Sequence, residues 1–394
     1  MPTRETPHNM KAPLPSSPGT AKKWRMMRSL PGLAAICVVL TAACAPRGEL
    51  ALVDTPPEGA REVTLLTATN RRLSPGGMPK NSQSDSLAYH EIEILLPPER
   101  RVGEARLGAP GKVDPSRHVT ALGFNSLEDT RGFERKLREE LRTNGGASRE
   151  VLVFVHGYNT NFSEAAARFA QMTRDMQIPA VPVLFSWPSQ ARPLGYVHDR
   201  DSILLSREPL RNLLTRLRAA GAQRILLAAH SMGGQLVMET LLQADLAHPG
   251  SAARLADSVV LISPDISIEV FMSQVAQISR LPKPLVVFTS AEDQALRLST
   301  LVAGNSARLG KPSDDPRLKN TGVVFLDVTD FSDRSQDSLG HLTLGTSPAM
   351  IAMVPQLRNV ALDLSSGASS NPGVLAETFL TLRSVAGSAL TAPQ

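Results

Sequence analysis

Arg224-Ile225-Leu226-Leu227-Ala228-Ala229-His230-Ser231-Met232-Gly233-Gly234 is the stretch whose reading decides the fold. An apolar run of the kind buried as a parallel strand stops at a serine with small neighbours, and a helix-patterned segment, residues 235–246, follows. A sharp strand-to-helix turn needs small residues because strand and helix backbones approach closely there. It also lifts the serine Oγ out at the carboxyl edge of the sheet. Gly233 and Gly234 supply the downstream side, and Ala229 stands where such a turn usually has its first glycine, one methyl larger but still small.

A hydroxyl attacks poorly until a base takes its proton, and in a turn of this kind the partners follow in the order serine, acid, histidine. Of the eight histidines, at positions 8, 90, 118, 156, 198, 230, 248 and 341, His248 is carried away from the strand ends by the helix after Ser231. His341 is left as the candidate base, in a loop after the strand-like residues 322–328. The bland alternative is a surface loop histidine. The acid should end a strand between the two. Asp293, after the apolar run 285–288, belongs to the penultimate strand and is favoured over Asp265, which ends the run 259–265. Either aspartate can equally be a helix N-cap, Asp265 for a helix at 268–278. Glu292 would point away from its neighbour on an extended segment.

Acyl transfer also requires donors aimed at the developing oxyanion. Val151-Leu152-Val153-Phe154-Val155 is a second continuous apolar run, and it ends in His156-Gly157-Tyr158-Asn159-Thr160. A turn of this type places a backbone N–H over the serine, so the amides of Tyr158 and Met232 are assigned to the oxyanion. His156, Gly157, Asn159, Trp187 and His230 are the candidate substrate-binding residues. For Trp187, core packing beside a strand is the competing reading.

These pieces resemble an α/β-hydrolase, in particular the bacterial branch catalogued as "domain of unknown function 900". The resemblance is carried by residues 153–159, Phe185-Ser186-Trp187-Pro188-Ser189, 229–233, Pro264-Asp265-Ile266, 290–296 and Gly340-His341, in that order. It spans residues 62 to 364. Thr67-Ala68-Thr69-Asn70-Arg71 matches the opening motif of that branch, whose role the sequence does not give. The resemblance implies a hydrolase fold and serine chemistry.

The periodicity independently predicts an α/β architecture, a mostly parallel central sheet with helices on both faces. Strands are expected near 151, 181, 224, 257, 285 and 322, with helices over 126–141, 161–176, 202–220 and 347–364. Strands at 62–67 and 87–96 are expected to start the sheet antiparallel, and Pro97-Pro98 breaks the second. The chain of 394 residues is thus divided into a leader (1–43), a linker (44–61) and a hydrolase domain (62–364). The domain comprises N-terminal strands and helix (62–146) and a catalytic core (147–364). A mobile tail (365–394), rich in Ser, Gly and Ala, closes the chain, with at most a short helix at 375–382.

Lys22, Lys23, Arg25 and Arg28 precede the apolar stretch 30–43, the pattern of a secretory signal. The stretch is short for a spanning helix, with an uncleaved anchor as the alternative. Leu40-Thr41-Ala42-Ala43-Cys44 resembles a lipoprotein cleavage box, which implies lipidation at Cys44. Ala45 after it implies the outer membrane, facing the periplasm. The leader holds six of the 42 basic residues and one of the 37 acidic ones, so the remainder carries 36 of each. The net charge of +5 therefore belongs to the leader, and nothing points to nucleic acid. With Cys37 in the leader and Cys44 acylated, no thiol is left for a disulfide, metal or nucleophile, and no cofactor or metal is called for. The expected function is hydrolysis of a carboxylic ester, small-molecule or lipid, through an acyl-enzyme in the cell envelope. The alternatives are a catalytically silent binding scaffold and an acyltransferase using the same residues.

Overall fold

In the computed structural model the described residues are 47–390, apart from 146–148, 303, 305, 334 and 367–370. The leader and Cys44 therefore lie outside them. The described chain begins with β1 (Ala51–Leu52), β2 (Arg61–Leu73), β3 (Pro79–Leu96) and β4 (Thr120–Ser126). Helix α1 (Thr130–Thr143) leads to β5 (Glu150–Val155), and helices and strands then alternate: α2 (Phe162–Met176), β6 (Val181–Ser186), α3 (Tyr196–Ala219), β7 (Arg224–His230), α4 (Met232–Ala247), α5 (Ser251–Leu255) and β8 (Ser258–Ile262). The remainder is α6 (Ile268–Gln277), β9 (Leu285–Thr289), α7 (Gln294–Val302), β10 (Val324–Asp327), α8 (Thr343–Thr346), α9 (Pro348–Ser366) and α10 (Gly373–Leu390). Among the described residues, no helix is long and apolar enough to cross a membrane.

All ten strands form one sheet in the order β1-β4-β3-β2-β6-β5-β7-β8-β9-β10. Strands β2, β3 and β4 pair antiparallel, and from β6 to β10 every pairing is parallel. The chain goes from β5 to β6 on one side and then returns to place β7 on the other. The carboxyl ends of β5 and β7 thus flank the point where winding reverses, which is where open α/β sheets bind ligands. The residues of β5 are all buried because helices cover both faces. Val151, Val153 and Val155 pack with Leu213, Leu227 and Leu236 on one side, and Leu152 and Phe154 with Phe169 and Met350 on the other. Each such side chain contributes about 1.5–3 kcal/mol by leaving water.

Several boundaries differ from the expectations. β3 starts at Pro79 because the polar residues 79–83 still pair with β2, through Arg71↔Gln83 and Leu73↔Pro79 across two register shifts. Ser126 closes β4, so α1 starts only after Asp129, whose carboxylate caps the amide of Gly132. α3 begins six residues early at Tyr196, and α4 at Met232 directly after the serine. The linker at 44–61 is partly integral: Leu50 is buried, and Ala51 and Leu52 add a parallel strand to β4.

The tail, expected to be mobile apart from a short helix at 375–382, holds a longer helix there, α10, whose Leu375 and Phe379 are each 2% exposed. These two residues stand one helical turn apart and enter the core beside Phe331 and α9. Replacement of Phe379 by alanine is expected to lower the unfolding free energy by about 3–5 kcal/mol, read from the urea transition. A loss under about 0.5 kcal/mol, usual for an exposed position, would return the segment to the status of a mobile tail.

Candidate active site

Ser231 sits between β7 and α4 with φ 54° and ψ −124°. This is a left-handed conformation that costs a non-glycine residue about 1–3 kcal/mol. Three backbone bonds hold it: Ser231 N donates to Ile262 O (3.0 Å), and the amides of Gly234 (3.0 Å) and Asp265 (3.2 Å) donate to Ser231 O. The glycines permit the close approach. A Cβ on Gly233 would stand 2.4 Å from the carbonyl oxygen of His156, and one on Gly157 would stand 2.9 Å from Ser231 Cβ. The ends of β5 and β7 therefore interlock without room for a methyl group.

Asp293 follows β9 and is completely buried. Its Oδ2 lies 2.7 Å from His341 Nδ1, while its Oδ1 accepts the amide of Leu296 at 2.8 Å. It is both the histidine's partner and a helix cap. The loop carrying His341 is folded on Asp337, whose carboxylate accepts the amides of Leu339 and Leu342. His230 Nε2 donates to His341 O at 3.1 Å, and the two rings lie 4.5 Å apart. The residue before the serine is thus a strut to the histidine loop. Among the described residues, Ser231 Oγ and His341 share no hydrogen bond; such bonds are commonly long without substrate.

Asp265, the alternative acid, is committed elsewhere. It accepts from Tyr196 OH (2.9 Å) and Ser299 Oγ (2.9 Å) and pairs with Arg308 Nε at 3.2 Å. It does not cap α6 either, because Ser267 does, accepting the amide of Val270. The amides of Tyr158 and Met232 donate to no protein acceptor among the described residues. Met232 is also the first residue of α4, where the helix dipole favours negative charge.

The expected substrate-binding residues divide. Gly157, His230 and His156 line one cleft, with Gly157 and His230 next to the residues that meet at the serine. Trp187 has no exposed surface: it stacks on the His156 ring and donates Nε1–H to His156 O at 2.8 Å, so it is core. His156 is itself only 2% exposed; its Nδ1 donates to Gly157 O (2.9 Å), which leaves Nε2 as the acceptor for Arg71 Nη2 (3.3 Å). Burial, with Arg71 adding to it, lowers its pKa to about 3, so the ring is neutral. Asn159 binds not a ligand but Arg47, which donates to its Oδ1 and backbone oxygen, each at 2.7 Å. Arg47 also pairs with Glu164 of α2.

The structure gives the 67–71 motif a place. Thr69 Oγ1 donates to Ser186 O (2.6 Å), and Asn70 Nδ2 to Ser206 Oγ (3.0 Å). Arg71, wholly buried, donates to Ser186 Oγ (2.9 Å), Asn81 Oδ1 (3.0 Å) and Thr160 O (3.0 Å), with His156 Nε2 at 3.3 Å. It underpins the turn that carries Tyr158. Burial lowers its pKa to about 9, against the pull of Asp199 and Glu164, so it stays charged at neutral pH. The only sequence signal for this role was an arginine inside an otherwise strand-like motif. Among the described residues, no group of three or more His, Cys, Asp or Glu side chains is placed to hold a metal ion.

The model of a family described as "Alpha/beta hydrolase of unknown function (DUF900)" matches residues 130–358. The chain belongs to this family. Its sheet order and helix layers are those of an α/β-hydrolase. Solved structures that resemble this DUF900 hydrolase include an esterase from Pyrobaculum calidifontis, with 12% identity over 88% of this chain and 96% of that one and a TM-score of 0.33. The esterase Est2 of Thermogutta terrifontis gives 11%, 78%, 94% and 0.33 in the same terms, and carboxylesterase CesB of Bacillus subtilis gives 12%, 57%, 86% and 0.31. No curated protein matches the chain.

Burial acts to lower the His341 pKa, but the charge and hydrogen bond of Asp293, with Asp265 and Asp337, outweigh it and raise it above the ordinary 6.5. A group whose folded pKa is raised stabilises the fold fully below its unfolded pKa. That contribution disappears as pH rises through the folded pKa. Titrated by NMR, His341 is expected to show a midpoint above 6.5 that falls in Asp293→Asn. A midpoint at or below 6.5 in the unmodified protein would contradict the ion pair.

Proposed function

We propose that this α/β-hydrolase cleaves a carboxylic ester through an acyl-enzyme on Ser231, with His341 as base and Asp293 as the group that orients it. The observation that carries this reading is the strained, interlocked serine at +54° beside a histidine whose Nδ1 lies 2.7 Å from a buried carboxylate. Oγ attacks the carbonyl carbon as His341 Nε2 takes its proton, and the amides of Tyr158 and Met232 receive the oxyanion. Collapse breaks the bond to the alcohol, which leaves with the proton from Nε2. Water then repeats the sequence on the acyl-serine and releases the acid. The strain at Ser231 presents Oγ at the sheet edge, and the neutral His230 and His156 leave His341 as the basic imidazole of the site.

A fluorophosphonate probe is expected to label Ser231, located by mass mapping of the adduct, and to leave Ser231→Ala unlabelled. Well-folded protein that resists the probe would favour a binding scaffold instead. We place the hydrolase in the cell envelope on the strength of its leader, basic then apolar and ending in Leu40-Thr41-Ala42-Ala43-Cys44. The mass of the mature N-terminal peptide should correspond to Cys44 carrying acyl chains. An intact leader on the purified protein would speak for an uncleaved anchor.

A further inference from the structure

Arg168 lies on α2 and lines a cleft together with Gly157, His230 and Leu342. Its Nη1 donates to Gly103 O (2.7 Å) and Gln171 Oε1 (2.8 Å), which fixes the guanidinium plane. Among the described residues, no carboxylate lies within 4.0 Å of it, and Nε and Nη2 have no protein acceptor. A half-buried guanidinium with no carboxylate in direct contact keeps a forked donor set open, and such a fork is matched by a planar anion. The carboxylates that act on it electrostatically, Asp337 and Asp175, are engaged: Asp337 by two backbone amides, Asp175 by Arg100, Gly103 N and Gln171.

The other groups in the cleft do not compensate this charge. Glu164 also lines it, but its carboxylate is taken by Arg47 and by the amide of Asn161. His156 and His230 are held neutral, chiefly by burial. The cleft reaches the chemistry through neighbours of each element: Gly157 of the oxyanion turn, His230 before the serine and Leu342 after the base.

We propose that Arg168 forms an anion subsite, and that the ester hydrolysed carries a free carboxylate, the hemiester of a dicarboxylic acid being the simplest case. This deepens the serine-esterase reading and rests on it. The carboxylate would dock on Nε and Nη2, and the ester carbonyl at the other end of the same molecule would reach Ser231. Arg168 acts here in binding and does not touch the reacting atoms.

The test compares mono(4-nitrophenyl) glutarate with the neutral 4-nitrophenyl hexanoate on the full-length protein, read as the ratio of their kcat/KM values. The unmodified enzyme is expected to favour the hemiester. The ratio should fall about tenfold or more in Arg168→Gln, in keeping with loss of a charge-assisted pair, and Arg168→Lys should recover part of it. An unchanged ratio in Arg168→Gln, with Ser231 still labelled by fluorophosphonate, would overturn the subsite and leave the esterase reading standing. If neither ester is cleaved and Ser231 is not labelled, the esterase reading fails. Calorimetry with glutarate then decides the subsite: binding to the unmodified protein that is lost in Arg168→Gln upholds it, and no binding overturns it.

Discussion

The contact between the ends of β5 and β7 is the constraint to which the other features of the site conform. Gly157 meets Ser231, and Gly233 meets the carbonyl of His156, at distances that exclude a methyl group. Two parallel strands that turn into helices side by side would normally diverge. Here the absence of side chains lets the two turns mesh, and the serine takes up a backbone conformation that it would not adopt alone. The strain is sustained because the surrounding sheet over-determines it, with buried valines and leucines on both faces of β5 and three backbone bonds at Ser231 itself.

Around that point, charges are arranged so that each has a fixed task. Arg71 lies beneath the turn that carries Tyr158, and His156 is kept neutral against it. Asp265 is consumed by Arg308, Tyr196 and Ser299, leaving Asp293 to face His341. His230 joins β7 to the loop carrying His341, so a displacement of either would be felt at both. This coupling is a reason for the site to sit on strand ends, where packing limits movement, with only the histidine delivered by a loop.

What could be read from the sequence was what is local. A strand, a serine and two glycines in succession specify a turn, and chain order then singles out one histidine and two aspartates. The choice between the aspartates depends on which other side chains claim Asp265, and those come from α3, α7 and the loop at Arg308, far away in the chain. Trp187 looked equally suited to pocket or core until its ring was seen stacked on His156. Arg71 and Arg168 were silent for the same reason: an arginine's partners are set by tertiary structure, not by its neighbours in sequence. Of α10 the sequence showed a short helix at 375–382, but the surrounding Ser, Gly and Ala masked its full length and the burial of an apolar pair one helical turn apart.

Arg47 ties the segment before β1 to the turn after β5. Its guanidinium grips both oxygens of Asn159, one residue past Tyr158, and the carbonyl of Ala191 and carboxylate of Glu164 besides. One guanidinium thus fastens three stretches that lie more than a hundred residues further along the chain, and the turn after β5 takes its footing from the very start of the described residues.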